Sequence, residues 1–250
     1  MMLHSKGLRD RSINMKCFKK WVFEGVTLSF FILLLLSCTP TVVTVVKTGQ
    51  TTCYSANGTP ILCPSTGQDG EYQTGATWPI PRFTTNVDNN NDGDCTDTGE
   101  RCDGTVTDNL TGLIWLRNAN CAGKSEFWAH ALKYVAQLNM NGTMNSNDCG
   151  DTSNKDSHQT DWRLPNIREL HSLIDYAYFS PALSNGAGDA KWIEGDVFSG
   201  VQLSSYWSSS TSTFNITTWA GTAWFVSFNY GGIFIGSKWN RYSVWPVRGG

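Results

Sequence analysis

The sequence predicts an α+β domain in which two helices pack against small antiparallel sheets under a set of disulfide staples. Three observations carry that expectation. Helical periodicity is confined to two stretches, the last 54 residues read as short strands broken by Gly and Asn turns, and cysteines flank polar loops. The 250 residues are 40% hydrophobic and 16% charged, enough for one good core or at most two modest domains. A net charge of −2 leaves no basic stripe, which argues against nucleic acid as a partner. With 11 Trp, 24 Gly and 12% aromatic residues, the chain is neither disordered nor fibrous in composition.

In chain order, residues 1–20 carry Lys6, Arg9, Arg11, Lys16, Lys19 and Lys20 against one acid, Asp10. Residues 25–36 then run without a charge, short of the roughly 20 apolar residues needed to span a bilayer. A basic region followed by a short apolar one is a secretory signal, with Met15 as a second candidate start. It ends in Leu35-Leu36-Ser37-Cys38, which resembles the lipobox of bacterial lipoproteins. The resemblance implies that residues 1–37 are removed and that Cys38 carries acyl chains as the membrane anchor. Thr39, standing where an Asp marks retention at the inner membrane, implies delivery to the outer membrane and display at the cell surface. Loss of six basic and two acidic residues with the signal leaves 13 basic and 19 acidic ones, net −6.

Residues 38–75, rich in Thr, Ser and Gly, are the expected tether with a small disulfide loop; residues 76–250 are the expected domain. Six cysteines remain after Cys17 and Cys38 are set aside: Cys53, Cys63, Cys95, Cys102, Cys121 and Cys149. An even number in an oxidising compartment reads as disulfides, with 15 connectivities open. Nearest-neighbour pairing is expected, because each pair brackets a Gly/Asn/Asp-rich loop. Within the second loop, Asp88, Asn90, Asp92 and Asp94 have the alternate oxygen-ligand spacing of a calcium loop around Gly93. Position twelve is Gly99, so an EF-hand fails. A structural calcium in a turn closed by Cys95 and Cys102, or a solvated acidic loop, stays open.

Residues 104–116 read as two short strands around an Asp108-Asn109 turn. Ser125 is the expected cap of a helix over about 125–139, with Glu126 in its first turn and Phe127, Ala131, Val135 and Leu138 as its apolar stripe. A polar loop follows. Asn166 and Glu169 form a capping-box pattern that starts a second helix, about 166–176, with Ile167, Leu170 and Ile174 on one face. Asp161, Arg163 and Glu169 are explained by capping and a buried structural arginine, and His171 with Asp175 by a surface pair. From Val197 onward no Asp or Glu occurs, and Lys238, Arg241 and Arg248 are the cations.

Several stretches together resemble one family: Gly104-Thr-Val-Thr-Asp-Asn-Leu-Thr-Gly-Leu-Ile-Trp115, Asp161-Trp-Arg-Leu-Pro-Asn166, Tyr206-Trp-Ser-Ser209, Ala223-Trp-Phe-Val226 and Val247-Arg-Gly-Gly250. This combination is similar to the Lcl C-terminal domain family of bacterial surface proteins. The resemblance implies a C-type-lectin-like fold, shared with formylglycine-generating enzymes. Some members resemble targets of diversity-generating retroelements, which randomise adenine-containing codons near the end of a gene. Residues 233–245 fit that case, with large varied side chains where the family pattern is rich in Asn.

The acid-free tail is therefore the expected binding region, over 205–245. Rigid aromatics with small polar residues are the vocabulary of paratopes. Trp207, Trp224, Phe225 and Phe228 are mostly expected in the core. Phe214, Ile216, Thr217, Trp219, Ile235, Ser237, Trp239, Arg241, Tyr242, Ser243 and Trp245 are the candidate ligand contacts. The sequence contains no His-Glu-x-x-His, Gly-x-Ser-x-Gly or P-loop, and no Cys after Cys149, so no enzyme is expected. The expected function is surface display of a domain that binds a protein or polysaccharide ligand. A fixed glycan- or host-binding adhesin is the alternative, and an envelope enzyme related to formylglycine-generating proteins a more distant one.

Overall fold

A computed structural model describes residues 45–86, 102–213 and 221–249. Cys38, the calcium-loop candidates Asp88, Asn90, Asp92 and Asp94, and Phe214, Ile216, Thr217 and Trp219 lie outside the described residues. The chain is mixed α/β, with few helices, small antiparallel sheets and disulfide staples. First come β1 (Cys53–Tyr54) and β2 (Pro60–Ile61), paired and closed by the Cys53–Cys63 disulfide, then the single turn α1 (Asp69–Tyr72). Next are β3 (Phe83–Thr85), β4 (Thr105–Asp108), β5 (Ile114–Leu116), α2 (Trp128–Asn141) and the ladder of β6 (Thr143–Met144) with β7 (Asn147–Asp148). After α3 (Ile167–His171) come β8 (Ser205–Thr211), β9 (Thr222–Ser227), β10 (Ile233–Ser237) and β11 (Val247–Arg248).

Two sheets organise the domain, ordered β11-β5-β4-β3 and β10-β9-β8. The two strands expected in 104–116 form β4 and β5, with Thr105, Val106 and Thr107 opposite Leu116, Trp115 and Ile114. Their turn is held by the Asp108 carboxylate, which accepts from Leu110 N (2.9 Å) and Thr111 Oγ1 (2.7 Å). Trp245 joins the two sheets. Its ring centroid lies 5.7 Å from Trp115 of β5, 5.4 Å from Tyr206 of β8, and 4.9 and 5.5 Å from Phe198 and Phe228. Its indole N–H donates to Leu116 O at 2.8 Å, so the one polar atom of a fully buried side chain is satisfied.

Beneath β3, Arg82 and Asp108 form a salt bridge with no solvent exposure on either side chain. Nε and Nη2 meet the two carboxylate oxygens at 2.9 and 3.0 Å, and Nη2 also donates to Ser172 O at 3.0 Å. This is the buried structural arginine of the fold. Arg163, expected in that role, is instead 40% exposed. It forks onto Glu169 at 2.6 and 2.9 Å and reaches Gly249 O, because it stands beside β11 at the domain surface.

Other expectations change with the long-range contacts. Ser125 is exposed and caps nothing: α2 starts at Trp128, Phe127 occupies its N-cap without a side-chain bond, and Glu126 turns inward. The stripe Ala131, Val135 and Leu138 is buried as expected. The Asn166/Glu169 capping box forms, but α3 spans five residues because the chain turns after His171. Leu170 and Ile174 enter the core and Ile167 packs against it. Asp175 is not a surface partner of His171. It is buried, accepting from Ala177 N at 2.8 Å, whereas His171 Nε2 meets Tyr176 Oη at 2.7 Å. Loss of hydration pushes the Asp175 carboxyl up to about 6.

Part of the expected tether is folded onto the domain. Thr48 O accepts from Tyr176 N at 2.8 Å, Lys47 O accepts from Trp78 Nε1 at 3.3 Å, and a Cβ at Gly49 would run into the Asp175 carboxylate. The compact unit accordingly begins at Val45. Of the expected disulfides, Cys53–Cys63 and Cys121–Cys149 are formed. Cys102 is also disulfide-bonded, while its expected partner Cys95 lies outside the described residues.

Candidate ligand-binding face

The face is assembled around Glu126. Its backbone pairs with Tyr242 in both directions (Glu126 N to Tyr242 O, 2.8 Å; Tyr242 N to Glu126 O, 3.1 Å), and its carbonyl accepts Trp207 Nε1 at 2.8 Å. These bonds turn the side chain inward until only 5% of it is exposed. The carboxylate is met by two cations, Lys124 Nζ at 2.9 Å and Arg241 Nη1 at 3.3 Å, and by the imidazole Nδ1 of His130 at 3.0 Å. Their own side chains are 47%, 53% and 49% exposed. Burial raises the Glu126 pKa, but hydrogen bonds from His130, Lys124 and Phe127 N outweigh it and hold the carboxyl down at about 2. One buried negative charge thus organises two outward-facing cations and an imidazole.

Aromatic side chains frame those cations. The Arg241 guanidinium lies over the Phe127 ring at 4.2 Å, and Trp239 meets the same ring edge-on at 5.8 Å. Lys238 Nζ lies over Trp128 at 4.2 Å, and the Trp128 indole N–H is anchored on Ser208 O at 2.8 Å. Trp239 is 66% exposed. Tyr242 is half-buried on Trp207 and Phe225, with centroids 4.5 and 4.3 Å away. The exposed side chains therefore stand on groups fixed by the core, a geometry that suits contact with a ligand at low ordering cost.

Among the candidate contacts, Ile235, Trp239 and Arg241 are exposed and Tyr242 is half-buried beside them. Ser237, Ser243 and Trp245 are buried. Ser237 Oγ accepts from Trp239 N at 3.3 Å, Ser243 exchanges backbone bonds with β8, and Trp245 joins the sheets. Trp207, Phe225 and Phe228 are buried as expected, while Trp224 stays half-buried. Lys124, Glu126, Phe127 and His130 were not expected at this face. Their signal was the Glu126/His130 spacing of one helical turn, two residues after Lys124.

Among the described residues, open grooves also lie elsewhere. One of about 360 Å³ borders Leu132, Asn139, Trp162 and Arg163, and one of about 400 Å³ borders Arg117, Asn118 and Asp148. Neither combines exposed aromatics with clustered cations. Among the described residues, no group of His, Cys, Asp and Glu is arranged to hold a metal ion.

Fold and face together define a disulfide-stapled α+β domain that presents aromatic and cationic side chains on a rigid frame. The chain belongs to the Lcl C-terminal domain family, whose model matches residues 104–248. That span runs from β4 to β11 and contains the whole face; membership points to a domain of a surface protein. No curated protein matches the chain.

Proposed function

We propose that this is a lipid-anchored bacterial surface protein whose C-terminal domain, with a C-type-lectin-like fold, holds a protein or glycan ligand on the face around Trp239, Arg241 and Tyr242. The carrying observation is Trp239: a tryptophan 66% exposed, braced on Phe127 and beside an arginine, in a chain that buries Trp115, Trp207 and Trp245 completely. Family membership and the lipobox-like Cys38 support display at the outer membrane. The large side chains at 233–245 support a tail diversified by a retroelement. No bond is made or broken in this reading.

The cation cluster favours a second reading, a fixed adhesin for acidic or sulfated glycans, because Lys124 joins the two tail cations at Glu126 and Trp128. Binding to arrays of glycans and of surface proteins, at low and high salt, separates the two. Diversified recognition predicts binding that survives about 0.5 M salt, where charges beyond a few ångströms are screened, and fails in Trp239→Ala. Binding lost in salt selects the adhesin. Binding that Trp239→Ala leaves intact overturns the assignment of this face. Sequencing codons 204–250 across a source population tests diversification: variation confined to exposed positions such as 239 and 241 is expected, and a uniform tail contradicts it.

A further inference from the structure

The second sheet ends at β10. This strand carries three large apolar residues in succession, Ile233, Phe234 and Ile235, all 39–47% exposed. It lies at the end of its sheet, bonded to β9 alone among the named strands. Ser227 N donates to Gly232 O at 2.9 Å, and Lys238 N donates to Gly221 O at 3.2 Å. With Phe234 opposite Phe225 and Gly236 opposite Ala223, those bonds fix the parity of the ladder. Phe234 and Gly236 turn their backbone groups toward β9; Ile233, Ile235 and Ser237 turn theirs outward. Among the described residues, nothing bonds to the outward N–H and C=O groups of Ile233 and Ile235.

An edge of this kind is normally blunted by Lys, Pro, a bulge or a covering segment, and Ile233–Ser237 contains no Lys, Pro or bulge. At its Ser237 end stand Lys238 and Arg241, with Lys124 and His130 brought in by Glu126. We propose that the β10 edge takes an extended polypeptide as an additional strand, with apolar residues at alternate positions and carboxylates at the end that reaches Lys238 and Arg241. Main-chain bonds supply the affinity of such an added strand, and alternate side chains and end charges supply its specificity. A second copy of this chain fits less well, since residues 197–250 contain no Asp or Glu to meet the cations. The inference rests on the reading that this face binds a ligand, and it adds the ligand's class and conformation.

The test is fluorescence anisotropy on the full chain with a labelled six-residue peptide of alternating valine and threonine ending in two glutamates. Ile235→Pro removes one outward donor while leaving the β9 ladder intact, and Ile235→Thr keeps that donor. We expect the peptide to bind, Ile235→Pro to weaken it about tenfold or more, and Ile235→Thr to change it by about threefold or less. A peptide N-methylated at alternate amides, tested on the unaltered protein, is expected to lose binding even if Ile235→Pro misfolds. A lysine-ended peptide is expected to bind about tenfold more weakly. Absence of peptide binding, or equal binding of the methylated or lysine-ended peptide, overturns the proposal. So does self-association that Ile235→Pro abolishes while peptide binding persists. A sulfated polysaccharide whose binding fails in Trp239→Ala and is untouched by Ile235→Pro overturns the strand partner and leaves the ligand-binding reading standing.

Discussion

Asp108 and Glu126 are both buried carboxylates held by cations, and they do opposite things for the molecule. Asp108 takes one arginine, Arg82, that is as buried as itself, and the pair is completed by Ser172 O, Leu110 N and Thr111 Oγ1. Its charge never reaches the surface. Glu126 takes two cations, Lys124 and Arg241, and the His130 imidazole, each about half exposed, so its burial fixes positive charge where a ligand can meet it. A buried acid with a buried partner belongs to the frame. A buried acid with exposed partners builds a surface.

The largest test of that contrast is on the frame side. Arg82→Met strands a buried carboxylate and is expected to cost about 3–5 kcal/mol in urea unfolding. The double variant Arg82→Met, Asp108→Leu should recover most of that loss, because no unpaired charge remains. If the single variant costs under about 1 kcal/mol, the pair is not part of the frame.

Glu126→Gln comes next. Solvent screening at its three half-exposed partners reduces its expected cost to about 2 kcal/mol at neutral pH. Because the folded carboxyl is held down at about 2, its contribution is complete above the unfolded value of 4.5 and fades as pH falls toward 2. The difference between Glu126→Gln and the unaltered protein should therefore shrink across that window; a pH-independent difference contradicts the charge-based account.

Asp175 has the reverse sign. Its folded carboxyl is raised to about 6, so stability is complete below the unfolded 3.8 and is lost as pH rises through 6. Asp175→Asn is expected to gain up to about 2 kcal/mol at pH 8, roughly 5 °C in Tm, and almost nothing at pH 4. A loss at pH 8 would mean that the ionised form is held by the fold.

The smallest effect belongs to the face. Trp239→Ala is expected to change stability by no more than about 0.5 kcal/mol, as a surface substitution should.

What the sequence disclosed was mostly local. The Asn166/Glu169 capping box is legible because its partners are three residues apart, and the β4–β5 hairpin because strand propensity and an Asp-Asn turn coincide. Cys53–Cys63 and Cys121–Cys149 follow from chain proximity across polar loops. The hidden parts depend on distant contacts. Trp239 and Trp245 occupy one aromatic stretch, yet one is exposed and the other is the hinge between two sheets, a difference set by the pairing of Ser243 with β8. Glu126 reads as an ordinary first-turn acid until Arg241 arrives from the tail. Residues 45–50 read as linker because their partners, Trp78, Asp175 and Tyr176, lie well down the chain.

The division between frame and face is tested most directly by replacing every codon from 204 to 249 with all amino acids and measuring the folded amount displayed on cells. The account predicts that Ile233, Ile235, Trp239 and Arg241 accept most substitutions, while Trp207, Trp245 and Val247 accept few. Intolerance at Trp239 and Arg241 equal to that at Trp245 would contradict it, because those side chains would then be holding the fold and not presenting a surface.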